Sequence, residues 1–446
     1  MKVKNKSVCQ TCRARKLGCD GNRPECTHFV DIHIYNKAEK KIVRNYVPQD
    51  TVTAISNEWI CTKQPRICGA WVEVLPNLRN GGGTPDLVLS AAIEALATSI
   101  TTQKLHPNSD NVESFQSYEL ALRSLRKSVV VDGRFDAELL ASIMCLSLVE
   151  LMMPSTSAAL EAHLKAAGQL FQAYGPEACS GGILHTLFAG FRPLLIFEAF
   201  QLRQPTFLAS TSWTDVPFSK FSASPMQSLL NKAAIIPSLM SQSDLLLDKV
   251  HQANFGFELK DLFNRFADAL IDLERWEMDY CQEADRWCYW PSNIAVSPAT
   301  EHYISYGKPL WYTNVTMANV YTNLWAIRII CFSELERLAA HLPSCQVTQD
   351  IPLLRPLKLK HIHTYKTALA KQICLSMEYL LRDEMGLFGP ASTYFPLQVA
   401  YETFLEDEGT MRKEGVAFVQ SVVLRLVQKG LRSAPVLVFT RRTLRV

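Results

Sequence analysis

Four cysteines near the start of the sequence have the spacing of a metal site. Two, six and six residues separate Cys9, Cys12, Cys19 and Cys26. Thiolate sulfur binds zinc, and four such ligands complete the tetrahedral shell of a structural zinc ion. A segment this short holds too few apolar residues for a core, so the metal would supply its folding free energy. We therefore predict a zinc-organised module over residues 1–35.

Basic side chains stand between the second and third of these cysteines. A short helix is expected to start at Cys12, and it would carry Arg13, Arg15 and Lys16 on one or two adjacent turns. Guanidinium and ammonium groups donate hydrogen bonds to guanine O6 and N7 in the major groove and to phosphate oxygens. The pattern predicts contact with double-stranded DNA.

The net charge of +3 is unevenly distributed along the chain. Residues 1–45 contain eleven Lys and Arg and four acids, so this segment carries +7 and the other 401 residues carry −4. A basic arm on a mildly acidic body is typical of a phosphate-binding module attached to a domain that does not bind nucleic acid.

Two other uses of four clustered cysteines need comparison with zinc binding. A disulfide framework requires an oxidising compartment, and residues 7–20 lack the apolar h-region of a signal peptide, so we expect reduced thiols. Other zinc modules close with a second C-x2-C or a paired histidine motif, and the sequence has neither here. The remaining nine cysteines are scattered, and we predict that they are buried free thiols.

The cysteine pattern resembles that of the fungal binuclear zinc-cluster transcription factors. Their motif is C-x2-C-x6-C, a loop with proline, and a second C-x2-C-x6-C; Pro24 matches the loop proline. The fifth and sixth cysteines, expected at Phe29 and near Asn36, are absent. In the family six thiolates hold two zinc ions, so the resemblance implies one complete site here. His28 or His33 would have to complete the second, and the number of zinc ions is one or two.

The resemblance also implies roles for the basic residues. Arg15 and Lys16 match positions that read a C/G-rich base triplet, and Arg13 matches a position that holds the DNA backbone. Gly18 stands where the family commonly has another basic residue. No apolar heptads follow the cysteines, so homodimeric binding stays one alternative to monomeric binding.

Amphipathic helical patterns begin at about residue 69 and continue nearly to the end of the chain. Strand patterns are almost absent, and we predict an all-α body with irregular connections near 204–224, 286–309 and 343–358. Thr84 and Pro85 are expected to cap the first long helix. The predicted helices are 85–103, 112–130, 135–153, 157–174, 183–202, 226–239, 257–285, 310–342, 361–382, 395–405 and 411–430.

This body resembles the fungal-specific transcription factor regulatory domain. Four stretches carry the resemblance, at residues 68–76, 118–125, 322–330 and 395–401. The resemblance implies a helical regulatory domain over 65–430 that senses small molecules or transcription cofactors. A linker at 36–64 and a C-terminal tail at 431–446 complete the predicted organisation.

The sequence lacks the catalytic motifs that would indicate an enzyme, and it has no apolar run of the length that a membrane span needs. An aromatic cluster containing Trp276, Trp287 and Trp290 is a possible ligand pocket; the alternative is packing under a long loop. We predict a nuclear, zinc-dependent, DNA-binding regulator of RNA polymerase II genes that works with the transcription machinery. The alternative is a ligand-sensing or protein-interaction regulator with a degenerate DNA reader.

Overall fold

The computed structural model describes the helical body of the chain. The structure describes residues 59, 68–80, 86–105, 112–130, 133–156, 158–249, 254–284, 288–292, 307–342, 361–440 and 443–445. The chain divides into two compact units, Met1–Asn45 and Tyr46–Val446. Every residue that the structure describes belongs to the second unit.

Helices form nearly all of the regular structure in the described residues, which confirms the predicted all-α body. A 3-10 helix over Cys68–Val74 precedes the first half of the series. That half comprises α1 (Leu75–Asn80), α2 (Leu87–Leu105), α3 (Val112–Val130), α4 (Ala137–Met152), α5 (Ala159–Ala178), α6 (Gly182–Leu202), α7 (Thr211–Asp215), α8 (Pro225–Ala233) and α9 (Ile236–Leu247).

The second half contains the longest helix and the two described strands. Its elements are α10 (Phe255–Ala284), β1 (Tyr289–Pro291), β2 (Leu310–Tyr312), α11 (Val315–Ala339), α12 (Ile362–Leu375), α13 (Met377–Leu380), α14 (Phe388–Ala391), α15 (Tyr394–Glu406), α16 (Thr410–Gln428) and α17 (Ala434–Phe439). The strands pair antiparallel, with Trp290 opposite Trp311.

Helix α11 is the centre of the packing. It contacts α8, α9 and α10 on one side and α12 and α15 on the other. Because neighbours surround it, even Trp325 and Tyr321, its largest apolar side chains, are almost fully buried. A helix buried on all sides shows apolar residues all round rather than one apolar stripe. The 3-10 helix Cys68–Val74 packs on α6, and α4 joins α2 to α5.

Side-chain caps define where several helices begin. Asp136 accepts a hydrogen bond from Leu139 N at 2.8 Å at the start of α4, and Asn314 accepts one from Met317 N at 3.0 Å at the start of α11. Such caps satisfy backbone donors that have no partner within the helix. Thr84 and Pro85, the predicted cap of α2, lie outside the described residues; the described helix begins at Leu87, and the Oδ1 of Asp86 accepts a hydrogen bond from Leu89 N at 2.7 Å.

Three predicted helices differ from the observed ones. Residues 310–312 form β2, and α11 begins only after the Asn314 cap. The predicted helix at 226–239 is two helices, with Pro237 in the first turn of α9, where a missing N–H costs no intrahelical bond. The predicted helix at 361–382 is interrupted at Ser376, whose hydroxyl donates to the Gln372 carbonyl at 2.7 Å.

Helix α6 is long and apolar enough, by length and composition, to cross a membrane, and half of its most apolar window is buried inside the molecule. Arg192, in the middle of α6, is fully buried. Its guanidinium donates to the Oε1 of Gln227 at 3.0 Å and the Oδ1 of Asn231 at 2.6 Å, both on α8. These contacts between helices are those of a core helix.

Candidate functional site

A cavity of about 120 Å³ lies among the central helices and is partly open to solvent. Its walls come from α4, α5, α6, α11, α14 and α15, with single residues from α8 and α17. Most of the lining is apolar, and large members include Trp59, Trp71, Phe197 and Phe395. Concave, mostly apolar sites with a few polar groups are where proteins bind small molecules. The cavity is therefore the candidate site.

The aromatic walls are held in place by packing from several elements. Phe197 on α6 stacks on Phe395 of α15, with ring centroids 4.6 Å apart and planes 11° from parallel. The hydroxyl of Tyr394, another wall residue, donates to the Leu151 carbonyl at 3.4 Å. Burial raises the pKa of Tyr394, so the hydroxyl stays protonated. These contacts position the aromatic wall without a ligand.

The polar part of the lining comes from two central helices. Glu198 and Gln201 belong to α6, and Asn319 and Asn323 belong to α11. The Asn323 side chain is about 1% exposed. Its Nδ2 donates to the Asn319 carbonyl at 2.7 Å, which identifies that atom as the nitrogen, since a carbonyl oxygen can only accept. Its Oδ1 is buried and accepts no hydrogen bond from any residue that the structure describes.

A chain of hydrogen bonds leads from the cavity to the C-terminal segment. Gln201 Nε2 donates to Gln398 Oε1 at 2.6 Å. Gln398 Nε2 in turn donates to Glu402 Oε1 and to Thr443 Oγ1, both at 2.9 Å. These hydrogen bonds fix the orientation of the Gln201 side chain, so this part of the cavity wall is rigid.

A buried cluster of charged residues lies at the far end of this series of hydrogen bonds, next to Thr443. The Arg203 guanidinium donates to the Thr443 carbonyl at 2.7 Å, to both carboxylate oxygens of Asp244 at 2.8 Å and to Glu334 Oε1 at 2.7 Å. Burial would raise the pKa of Asp244, but hydrogen bonds from Arg203 and Arg337 outweigh it and hold the pKa below its ordinary value. The cluster joins α6, α9, α11 and the C-terminal segment, and its charges are paired with one another.

A second buried polar cluster contains residue types that occur in catalytic sites. Tyr118 Oη lies 2.9 Å from His163 Nε2, and Glu150 accepts hydrogen bonds from the Ser155 amide and hydroxyl. Burial lowers the pKa of His163 to about 4, so the imidazole is neutral. None of the four residues lines the cavity. The cluster cross-links α3, α4 and α5 and has the geometry of a structural network.

The structure gives partial information on the site residues predicted from sequence. Seven of them lie outside the described residues, namely Cys9, Cys12, Arg13, Arg15, Lys16, Cys19 and Cys26. So does Trp287. Zinc and DNA binding at these positions therefore stay predictions. Among the described residues no group of three or more His, Cys, Asp or Glu is arranged to hold a metal ion.

The two described tryptophans of the predicted pocket have separate environments. Trp276 on α10 is buried; it donates from Nε1 to Ser228 Oγ at 2.9 Å and stacks on Tyr280. Trp290 on β1 is 40% exposed. Neither lines the cavity described above. The pocket predicted at Trp276, Trp287 and Trp290 stays a prediction.

Sequence reasoning missed the cavity because its lining residues are distant in the chain. Trp59, Leu151, Asn323 and Leu437 line the same cavity only after folding. The one available signal was the pair Asn319 and Asn323, two amides four residues apart in the N-terminal half of α11, among mostly apolar neighbours. Polar side chains in a buried helix require partners, and a polar wall is one solution. The five cysteines whose side chains the structure describes are free and buried, as predicted; they are Cys145, Cys179, Cys288, Cys331 and Cys374.

Searches of protein-family models, of curated proteins and of solved structures find no match for this chain. The resemblance to zinc-cluster regulators therefore rests on the motifs in its own sequence.

Proposed function

We propose that this chain is a sequence-specific DNA-binding regulator of RNA polymerase II transcription. Its N-terminal module binds zinc through Cys9, Cys12, Cys19 and Cys26, and its helical body controls the activity of that module. The protein acts in the nucleus, on metabolic or specialised-metabolite genes, together with the transcription machinery.

The observation that carries this proposal is the cysteine spacing with Arg13, Arg15 and Lys16 placed inside it. Zinc in such a module holds the backbone so that a short helix can present these side chains to the major groove. The charge of +7 on residues 1–45 supports it, because phosphate contacts require positive charge on the binding module.

Zinc content and DNA affinity test the proposal together on the full-length chain. After exhaustive exchange into metal-free buffer, elemental analysis is expected to find one or two zinc ions per chain. Cys9→Ser and Cys26→Ser should lose zinc and DNA affinity in parallel, because each removes a ligand from the complete site. Cys61→Ser, outside the predicted module, is the matched control and should keep both.

A second variant tests the role of the basic side chains independently of the zinc ligands. Arg15→Gln with Lys16→Gln should keep the zinc and weaken binding to a duplex selected from random sequence, because these side chains contact base edges. Arg13→Gln, which removes a backbone contact, should lower the salt slope by about 1. Lys165→Gln with Lys413→Gln, two exposed positions on the body, is the matched control. A wild-type chain that retains no zinc, or a double variant with unchanged affinity, would contradict the proposal.

A second candidate function is ligand sensing by the helical body with a degenerate DNA reader. The missing fifth and sixth cysteines favour degeneracy, and the cavity among the central helices favours ligand binding. The two candidates are separated by the zinc measurement. A body that binds a ligand in a chain that holds no zinc would support the second.

A further inference from the structure

We infer that Trp59 anchors the predicted linker 36–64 to the helical body, and that an apolar molecule in the cavity tightens this anchor. Occupancy of the cavity is in this way transmitted to the N-terminal module. The inference names the regulation of the DNA-binding function proposed above and rests on that function for its effect on DNA. The anchor itself requires neither zinc nor DNA.

The burial of Trp59 is the observation from which the anchor is argued. In the chain Trp59 lies between Asn45, the last residue of the first compact unit, and Cys68, the first residue of the 3-10 helix. It is only 3% exposed and belongs to the apolar core of the body. A solvated linker does not bury a large aromatic side chain, because ordering that side chain costs conformational entropy that packing must offset. Trp59 therefore packs as part of the body.

Trp59 forms part of the wall of the cavity. It lines the cavity together with Trp71 of the 3-10 helix, Leu148 of α4, Leu164 of α5 and Phe197 of α6. An aromatic side chain buries about 150–250 Å² and dominates the energetics of such contacts. A tryptophan set among neighbours from several elements is the kind of residue whose truncation weakens a docking contact most. One such side chain is sufficient as an anchor.

Space remains in the cavity while Trp59 is buried, because Trp59 is one of its walls and does not fill it. A molecule that enters therefore packs within the same lining as Trp59 instead of replacing it. Contacts that exist only when both are in place favour the bound ligand and the anchored Trp59 by the same factor. The lining that the structure describes is mostly apolar and contains no lysine, arginine or histidine to pair with an anion. The expected ligand is an uncharged apolar molecule, which loses little hydration on entry.

Trypsin digestion of the full-length chain tests the anchor, since Lys63 is the first trypsin site after Trp59 in the sequence. Local release of a packed segment opens its backbone to proteases. Trp59→Ala is expected to speed cleavage after Lys63 by at least about tenfold, because truncation of an anchoring tryptophan costs at least that factor in a docking equilibrium. Mass spectrometry measures this rate relative to cleavage within the body, which corrects for general destabilisation.

Trp213→Ala is the matched control, because Trp213 on α7 is also buried, at 7% exposed, and does not line the cavity. It should leave the relative rate of cleavage after Lys63 unchanged, even where it destabilises the body. Trp290→Ala removes a tryptophan that is 40% exposed and should have no effect either. Trp213→Ala that speeds this cleavage as much as Trp59→Ala does would refute the anchor.

Toluene, an uncharged apolar molecule, is the probe for the coupling. At millimolar concentration it should slow cleavage after Lys63 in the wild-type chain by about fivefold, a usual size for coupling between sites. Ala391→Leu, at the end of α14, enlarges a side chain of the lining and should abolish this protection. Ala97→Leu on α2 should retain it, because Ala97 is likewise half-buried and does not line the cavity. A short peptide substrate in the same digest reports any effect of toluene on trypsin itself.

The toluene measurement on the wild-type chain needs no variant of Trp59. It therefore decides the coupling even if Trp59→Ala does not fold, as judged by circular dichroism. Cleavage after Lys63 that toluene leaves unchanged would overturn the inference. So would faster cleavage, because it would mean that the ligand displaces Trp59.

The effect on the N-terminal module is measured with the duplex used for the DNA tests above. Toluene should change the affinity of the wild-type chain for this duplex by about fivefold, and the change should vanish in Trp59→Ala while the zinc content stays the same. An unchanged affinity in the wild-type chain would overturn the transmission to the module. A chain that holds no zinc and binds no duplex would contradict the DNA-binding proposal instead, and the trypsin measurements would still decide the anchor.

Discussion

At the scale of single residues, Arg203 combines a strained backbone with a fully used side chain. It ends α6 in the left-handed region, with φ of 53°, and it is the one described non-glycine residue with positive φ. That conformation costs free energy for any residue with a Cβ. Its guanidinium compensates by pairing with Asp244 and Glu334 and by donating to the Thr443 carbonyl.

Arg203→Ala should therefore lower the free energy of unfolding by about 3–5 kcal/mol, because two buried carboxylates lose a partner. The matched control is Arg275→Ala, which removes an arginine that is 61% exposed and paired with Asp272 on the same helix. That change should cost less than about 1 kcal/mol. Urea unfolding followed by circular dichroism measures both, and equal losses would refute the role given to Arg203.

At the scale of secondary-structure elements, the contact between α15 and α16 depends on a glycine. A Cβ built on Gly415 would lie 2.3 Å from Cγ of the Phe404 ring, closer than any real contact. Phe404 is fully buried, so the ring cannot swing into solvent. The absence of a side chain at residue 415 lets the two helices approach, and this offsets the low helix propensity of glycine.

Gly415→Ala is expected to destabilise the protein by about 1–3 kcal/mol through overpacking. Gly256→Ala, in the exposed first turn of α10, meets nothing within 4 Å and should be neutral or stabilising by up to about 1 kcal/mol. In the Gly415→Ala background, Phe404→Leu should recover part of the loss because the smaller side chain makes room. Additive effects of the two changes in thermal unfolding would count against direct contact.

At the scale of the whole molecule, one contiguous apolar core extends through the described residues from Trp59 to Leu444. The last described residues belong to it: Leu444 is buried, and the Thr443 and Leu444 amides donate to the Glu402 carboxyl group at 3.0 and 2.7 Å. The segment predicted as a tail from residue 431 thus includes α17 and a buried terminal contact with α15 and the end of α6.

Deletion of residues 443–446 should lower the free energy of unfolding by about 3 kcal/mol, because the buried Glu402 carboxyl group loses backbone donors and Arg203 loses an acceptor. Arg445→Ala is the control, since Arg445 is more than half exposed and its substitution should cost less than about 1 kcal/mol. Thermal unfolding of both variants measures the difference. A deletion that matches the control would mean that the segment is an appended tail.

Local sequence patterns predicted much of the helical body. Helix α3 was predicted with its observed ends, and α6, α15 and α16 were each within two residues, since apolar periodicity and breakers such as Gly and Pro act locally. The same patterns failed at residues 310–312. There the pairing of β2 with β1, a partner about twenty residues earlier, decided the conformation.

The sequence by itself determined the helical class and the burial of the five cysteine thiols that the structure describes. It also predicts a set of zinc ligands and DNA-contacting residues that can be tested without a structure. The tertiary structure alone decided where a cavity remains, that Asn319 and Asn323 belong to its lining, and that Arg203 and Glu402 hold the C-terminal segment. The reason is physical: helix formation depends on residues three and four apart, whereas cavities and buried polar contacts arise between residues hundreds of positions apart.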